Sequence, residues 1–151
     1  MTALWIDHKA LDHLTESGSS ALPRETGELL LGHFANDEPI VTLAPTILDR
    51  RATRIRYRRD APAAASTLGH HIAADESGLL GYLGEWHTHP LPMGPSWTDR
   101  QAISSLAVEC GHAVFLLVFA IGAGGWRRHG LRGSANGTVT HINVRVREAS
   151  T

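Results

Sequence analysis

The chain has 151 residues, a formal net charge of −1 and one cysteine, and 42% of its residues are apolar while 19% are charged. This composition is that of a globular domain, and it excludes a fibrous or disordered chain. It also excludes a disulfide within the chain and gives no overall attraction to nucleic acid or anionic membranes. We therefore expect one domain over residues 1–151.

The N-terminal segment and the apolar stretches indicate the cellular compartment in which we expect the protein. The segment MTALWIDHKALDHL lacks the basic stretch and apolar run of a secretory signal. The longest apolar stretch, from Ala113 to Ala123, is about half the length of a membrane span. We expect a soluble cytoplasmic protein with no membrane partner.

Apolar periodicity predicts that strands and helices interleave along the chain. The elements predicted before the central motif are a strand at Ala3–Ile6, a helix at Lys9–Ser17, strands at Glu28–Phe34, Ile40–Leu48 and Arg54–Arg58, and a helix at Ala61–Asp75. Those predicted around and after it are a strand at Leu79–Trp86, a helix from Asp99 to Cys110, a strand at Ala113–Ile121 and a strand at Thr140–Val146. This order predicts an α/β or α+β fold with a sheet at its core.

The segment GEWHTHPLPMGPSWTD, from Gly84 to Asp99, concentrates residues that can bind a metal. His87 and His89 are two apart at a strand end, so both side chains lie on one face of the sheet. Asp99 follows Ser96 by three residues in the first turn of the next helix, and the loop can fold it back toward the histidines. Two imidazoles and one carboxylate leave a fourth tetrahedral position for water, whose pKa an open zinc site lowers to about 7.

The same residues also have a structural interpretation. Ser96 and Asp99 match a helix capping box, and histidines at strand ends are commonly just hydrogen-bonded. A cap explains Asp99, but it does not explain two histidines on one face immediately before it. The combination therefore favours a metal site. Trp86 and Trp97 flank it, either as walls of a substrate groove or, for Trp86, as core.

The motif H-T-H-P, a proline-rich loop and S-x-x-D resembles the JAMM motif of the MPN (JAB) metallopeptidases. In that family a glutamate far upstream completes the site, within E-x-x-G-x-L-x-G. The matching segment here is E-T-G-E-L-L-L-G, which identifies Glu25 as that glutamate and leaves Glu28 as a decoy at a usual glycine position. The resemblance implies a single MPN/JAB-like domain with a central mixed β-sheet flanked by helices.

The resemblance also implies a role for each site residue. His87, His89 and Asp99 would hold one Zn²⁺ per chain with a bound water, Glu25 would act as general base, and Ser96 would stabilise the oxyanion. The sequence has six residues between His89 and Ser96, where the family usually has seven. The missing residue falls in the loop, so we expect it to affect substrate fit more than zinc binding.

Family enzymes mostly cleave after the C-terminal glycine of a ubiquitin-like protein, to process a precursor or to remove a conjugate. The string G-Y-L-G-E-W-H-T-H-P resembles prokaryotic JAB peptidases of bacterial ubiquitin-like conjugation systems, including antiphage operons. The implied partners are a ubiquitin-like protein or its conjugate, and activating- and conjugating-enzyme-like proteins of the same operon. Three alternatives stay open: a zinc peptidase trimming a sulfur-carrier or small-peptide substrate, a noncatalytic MPN-type interaction module, and a role near DNA, since RadC-like proteins have a similar signature.

An arginine cluster precedes the second predicted helix. It comprises Arg50, Arg51, Arg54, Arg56, Arg58 and Arg59. These side chains either receive an acidic partner surface or form a solvated edge strand whose charges block aggregation. Nucleic-acid binding is less favoured, because Tyr57 is the only interleaved aromatic residue.

Overall fold

The computed structural model describes residues 3–45 and 61–148, apart from the side chains of Glu28 and residues 61–67. Within these ranges the strands are β1 Ala3–Asp7, β2 Gly27–Ala35, β3 Glu38–Leu43, β4 Gly81–His89, β5 Val114–Gly122, β6 Gly125–Gly133 and β7 Val139–Arg147. The helices are α1 His8–Ala21, α2 Ala61–Ala74 and α3 Trp97–Cys110. The α+β class is thereby confirmed. The extent of the domain over residues 1–151 stays a prediction.

The seven strands form one mixed sheet in the order β1-β3-β2-β4-β5-β6-β7. β1 is parallel to β3 and to β7, and β4 is parallel to β5, while the other neighbours are antiparallel. The β1–β7 pairing closes the sheet into a barrel. The mixed sheet agrees with the prediction, but its closure was not predicted, because β1 and β7 lie at opposite ends of the chain and no local pattern links them.

β5 shows how the core is divided between two faces of the sheet. Phe115, Leu117 and Phe119 pack in a cluster that includes Ala10 and Leu14 of α1. The alternate residues of β5, which are Val114, Leu116 and Val118, pack with Ile103 and Ala107 of α3. We call these the α1 face and the α3 face. A strand buried on both sides reads as a continuous apolar run, as the sequence predicted for this segment.

The structure departs from the predicted elements in several places. β3 ends at Leu43, within the strand predicted over Ile40–Leu48. α1 extends beyond the predicted Lys9–Ser17, and β4 continues through His89. β6 was not predicted as an element, because its run Trp126–His129 shows no apolar alternation. The predicted strand Arg54–Arg58 and the arginine cluster between Arg50 and Arg59 lie outside the described residues.

Cys110 is exposed. Helical periodicity places Cys110 on one face with Ile103 and Ala107 and predicts that it is buried. That prediction is wrong, because the buried residues of α3 are Ile103 and Ala107, one turn apart. Among the helices in the described ranges, none has the length and apolar character needed to cross a bilayer.

Candidate functional site

β4 presents alternate side chains to the two faces of the sheet. Trp86 belongs to the cluster on the α1 face, and Thr88 Cγ2 lies 3.0 Å from the position that a Cβ on Gly18 of α1 would take. His87 and His89 consequently project from the α3 face, where α3 begins. The expectation that both imidazoles share one face is met.

The imidazoles converge with Asp99, the third residue of α3. His87 Nε2 lies 3.2 Å from His89 Nε2 and 3.2 Å from Asp99 Oδ1, and His89 Nε2 lies 3.4 Å from Asp99 Oδ2. One ligand atom from each residue lies within 4.8 Å of the others. Bonds of 2.0–2.1 Å to a tetrahedral zinc ion place neighbouring ligand atoms roughly 3.3 Å apart. The three side chains therefore fit a metal ion of this kind.

The loop after β4 orients His89. Its Nδ1 lies 3.0 Å from the carbonyl oxygen of Met93, to which an Nδ1–H donates. In the neutral ring this leaves the Nε2 lone pair facing the other ligands, as a metal site requires. Sequence analysis missed this contact, because a backbone carbonyl in a loop carries no residue-type signal.

Asp99 is held by a complete capping box at the start of α3. The Asp99 amide donates to Ser96 Oγ at 3.1 Å, and the Ser96 amide donates to Asp99 Oδ2 at 2.7 Å. The capping and metal-site interpretations are therefore compatible, since one carboxylate faces both the cap amide and the imidazoles. The cap fixes the carboxylate at the orientation that the cluster needs.

The electrostatics of the cluster follow from its close packing. Burial would raise the pKa of the Asp99 carboxyl, but hydrogen bonds from His87 and His89 hold that pKa well below its usual range. Burial would lower the pKa of His89, but its hydrogen bonds to Asp99 and the Met93 carbonyl, together with the charge of Glu25, raise it. The charges of a carboxylate and a nearby glutamate thus favour a cation at this position.

Glu25 lies beside the cluster, two residues before β2. Gly27 pairs with His87, and the Thr88 amide donates to the Thr26 carbonyl at 2.9 Å. The same antiparallel register places Glu25 opposite His89, and its side chain is buried. Glu25 is not one of the three clustered ligand residues.

The backbone conformation at position 27 explains why the segment E-T-G-E has a glycine there. Its φ is +148°, and a Cβ there would come 2.0 Å from the Trp86 carbonyl oxygen. Only glycine permits β2 to approach β4 this closely. Glu28 pairs through its backbone with Trp86, and its side chain lies outside the described atoms. Trp86 is core with 1% exposure and forms no groove wall, whereas Trp97 is 73% exposed.

Two further contacts border the cluster, and sequence analysis did not identify them. Gly94 in the loop lies against the His129 ring, where a Cβ would come 3.4 Å from His129 Cε1. Arg100, which follows Asp99 in α3, donates to His141 Nε2 at 2.7 Å. His129 and His141 lie on β6 and β7, far from the motif in sequence, and neither forms part of a recognisable spacing.

Comparisons with known proteins bear on the family and the fold of the chain. Residues 7–130 match the family described as prokaryotic homologs of the JAB domain. The chain belongs to this family. Its fold is similar to the solution structure of a protein from Desulfitobacterium hafniense, with a TM-score of 0.74 and 20% sequence identity over 99% of this chain and 94% of that one. None of the curated proteins matches the chain. The JAB match confirms the family inferred from the motif.

Proposed function

We propose that this JAB-domain protein is a zinc-dependent peptidase or isopeptidase. The observation that carries the proposal is the convergence of His87, His89 and Asp99 beside the buried carboxyl group of Glu25. His89, held by the Met93 carbonyl, and Asp99, held by the cap, have the fixed orientation that metal ligands require. A buried carboxyl group beside the cluster and outside its ligand set supports a catalytic role for the site.

The donor set fits one zinc ion per chain, which supplies a Lewis acid and a hydrolytic nucleophile at neutral pH when bound. Glu25, outside the ligand set, is positioned to accept a proton from the attacking water and pass it to the leaving amine. Ser96 Oγ already accepts a hydrogen bond from the Asp99 amide. Its own O–H remains available to donate to the oxyanion that develops on the substrate carbonyl.

The proposed substrate is a ubiquitin-like protein, cleaved after its C-terminal glycine as a precursor or a conjugate in the cytoplasm. Family membership supports this choice. Three large apolar side chains lie between the ligands His89 and Asp99 in the sequence and are between 43% and 73% exposed: Leu91, Met93 and Trp97. Exposed apolar groups around a polar centre are typical of surfaces that bind polypeptide. Activating- and conjugating-enzyme-like proteins are the proposed partners.

Intact-mass proteolysis tests the proposal. Ubiquitin-like proteins are presented as C-terminal fusions and as lysine conjugates to wild type, to Glu25→Gln, to chelator-treated enzyme and to the exposed-site control Glu16→Gln. We expect cleavage directly after the terminal glycine by wild type and the control. The Glu25→Gln rate should fall by a factor on the order of 10²–10⁴, the usual contribution of a general base.

The alternatives predict other outcomes of the same experiment. Release of short peptides alone would indicate the trimming peptidase. Zinc-loaded wild type that cleaves no substrate would contradict the proposal and favour the interaction module, and the six-residue loop after His89 would be the first segment to lengthen. Wild-type activity in Glu25→Gln would refute the assigned role of Glu25.

A further inference from the structure

β6 and β7 separate next to the metal cluster. Their pairing covers Gly130–Gly133 of β6 and Val139–Ile142 of β7 and then stops. β6 continues to pair with β5 as far as Gly125, and β7 continues to pair with β1 as far as Arg147. Two strand edges therefore face each other across a gap, and no strand among residues 3–45 and 61–148 pairs with either facing edge.

The gap is a groove of about 700 Å³ with a basic lining. Arg127, Arg128 and Arg145 line it together with His129 and His141, and no acidic side chain does so among the described residues. Burial lowers the pKa of His129, and the charges of Arg127, His141 and His89 lower it further. Several positive groups thus act on the same space, although the whole chain has a net charge of −1.

The groove borders the metal cluster. His129 lines the groove and touches the loop at Gly94, which follows the ligand His89. His141 lines it as well and accepts a hydrogen bond from Arg100, next to the ligand Asp99. A chain lying in the groove would lead directly to the site.

We propose that this groove binds an extended acidic segment of a polypeptide, by strand addition to the exposed edges of β6 and β7. Extended peptides satisfy unpaired strand edges through their backbone, and acidic side chains complement the arginines. The inference deepens the proposed function, because it gives the substrate an acidic segment beside the cleaved bond. The biological role of the groove rests on the proposed function, whereas binding of the acidic segment can be measured without it.

Nucleic acid fits the groove less well. Single strands bind through stacking on aromatic rings, and Trp126 is the one aromatic ring, apart from the histidines, among the described lining residues. Its Nε1 donates to Ser19 Oγ at 3.1 Å, and its ring packs against Gly18 of α1. The ring is therefore engaged by the fold.

Fluorescence anisotropy on the Glu25→Gln protein tests the proposal, since this variant leaves the peptide intact. The probes are a labelled peptide of alternating Glu and Thr, the matched Gln and Thr peptide, and oligothymidylate. We expect the acidic peptide to bind tightest and to weaken as salt rises. Arg127→Ala with Arg128→Ala should weaken it by about tenfold, the size expected from two exposed ion pairs.

The control pair is Arg24→Ala with Arg132→Ala, which removes the same charge from exposed positions outside the groove. Hydrogen exchange should show that the peptide protects backbone amides in residues 125–129 and 143–147. The proposal fails if both double variants weaken binding equally, if protection appears elsewhere, such as residues 46–60, or if oligothymidylate binds tighter. Absence of any binding would leave the arginines as edge protection only. The proposed function is judged separately, because each of these outcomes concerns peptide binding by Glu25→Gln. Cleavage of substrates without an acidic segment is measured on the protein that retains Glu25.

Discussion

The two faces of β4 are built from neighbouring residues, yet their surroundings differ. Trp86 is 1% exposed and packs among apolar side chains with Leu14 of α1. His87, the next residue, faces His89 and Asp99 across distances of 3.2 Å. Side-chain alternation allows one strand to anchor the core and to carry polar ligands. Stability and metal binding should therefore respond separately to substitutions on the two faces.

His87→Ala should have the largest effect. Loss of one of three protein ligands should lower zinc affinity by more than about 100-fold, the upper end of what outer-shell changes cost. Activity should fall to background. The metal-free melting temperature should fall less than in Trp86→Ala, because His87→Ala removes a hydrogen bond to Asp99 but no apolar core side chain. Metal content after dialysis and thermal melts measure both. The exposed His112 provides the control, since His112→Ala should keep its zinc. If His87→Ala binds zinc as tightly as wild type, His87 is not a zinc ligand.

Trp86→Ala tests the opposite face. Removing a fully buried tryptophan should lower the free energy of unfolding by about 3–5 kcal/mol, measured by urea denaturation. The folded fraction should bind zinc as wild type does. Trp97→Ala, at a 73% exposed position, should change stability little. Equal losses of zinc affinity in Trp86→Ala and His87→Ala would show that the two faces are not independent.

The site was predictable where its parts are local in sequence. His87 and His89 share a strand end, and Asp99 shares a capping box with Ser96, so spacing alone brings them near one another. The contact between His89 and the Met93 carbonyl could not be predicted, because a backbone carbonyl has no residue-type signature. The groove depends on the position where the pairing of β6 with β7 ends, and the closed sheet depends on the pairing of β1 with β7. These arise from long-range packing, which periodicity does not encode.

Ser96→Ala separates the capping role from the proposed catalytic role. Loss of the hydrogen bond from the Asp99 amide should cost about 1 kcal/mol of stability. If the hydroxyl also stabilises the oxyanion, kcat should fall by a factor on the order of 10² with zinc content unchanged. Ser96→Thr keeps a hydroxyl and should retain most of both. A stability loss with unchanged kcat would leave Ser96 as a cap only.

The smallest effect expected is on the pH dependence of the melting temperature, whose slope should differ in sign between the metal-free and the zinc-bound protein. In the metal-free protein the pKa of His89 is raised above its ordinary value of 6.5. A raised pKa contributes stability that is fully present below the unfolded value and lost as pH rises through the folded value. The melting temperature of metal-free protein should therefore decline above pH 6.5, and His89→Gln should remove that decline.

With zinc in excess the slope should reverse. A metal ligand must be deprotonated, so binding strengthens as pH rises, and tighter binding stabilises the folded state. Thermal melts across neutral pH, with chelator and with zinc, make the comparison in one protein. Parallel slopes in the two conditions would mean that zinc does not bind through His89. Opposite slopes that both disappear in His89→Gln would place proton and metal on the same ring, and thus on the polar face of β4.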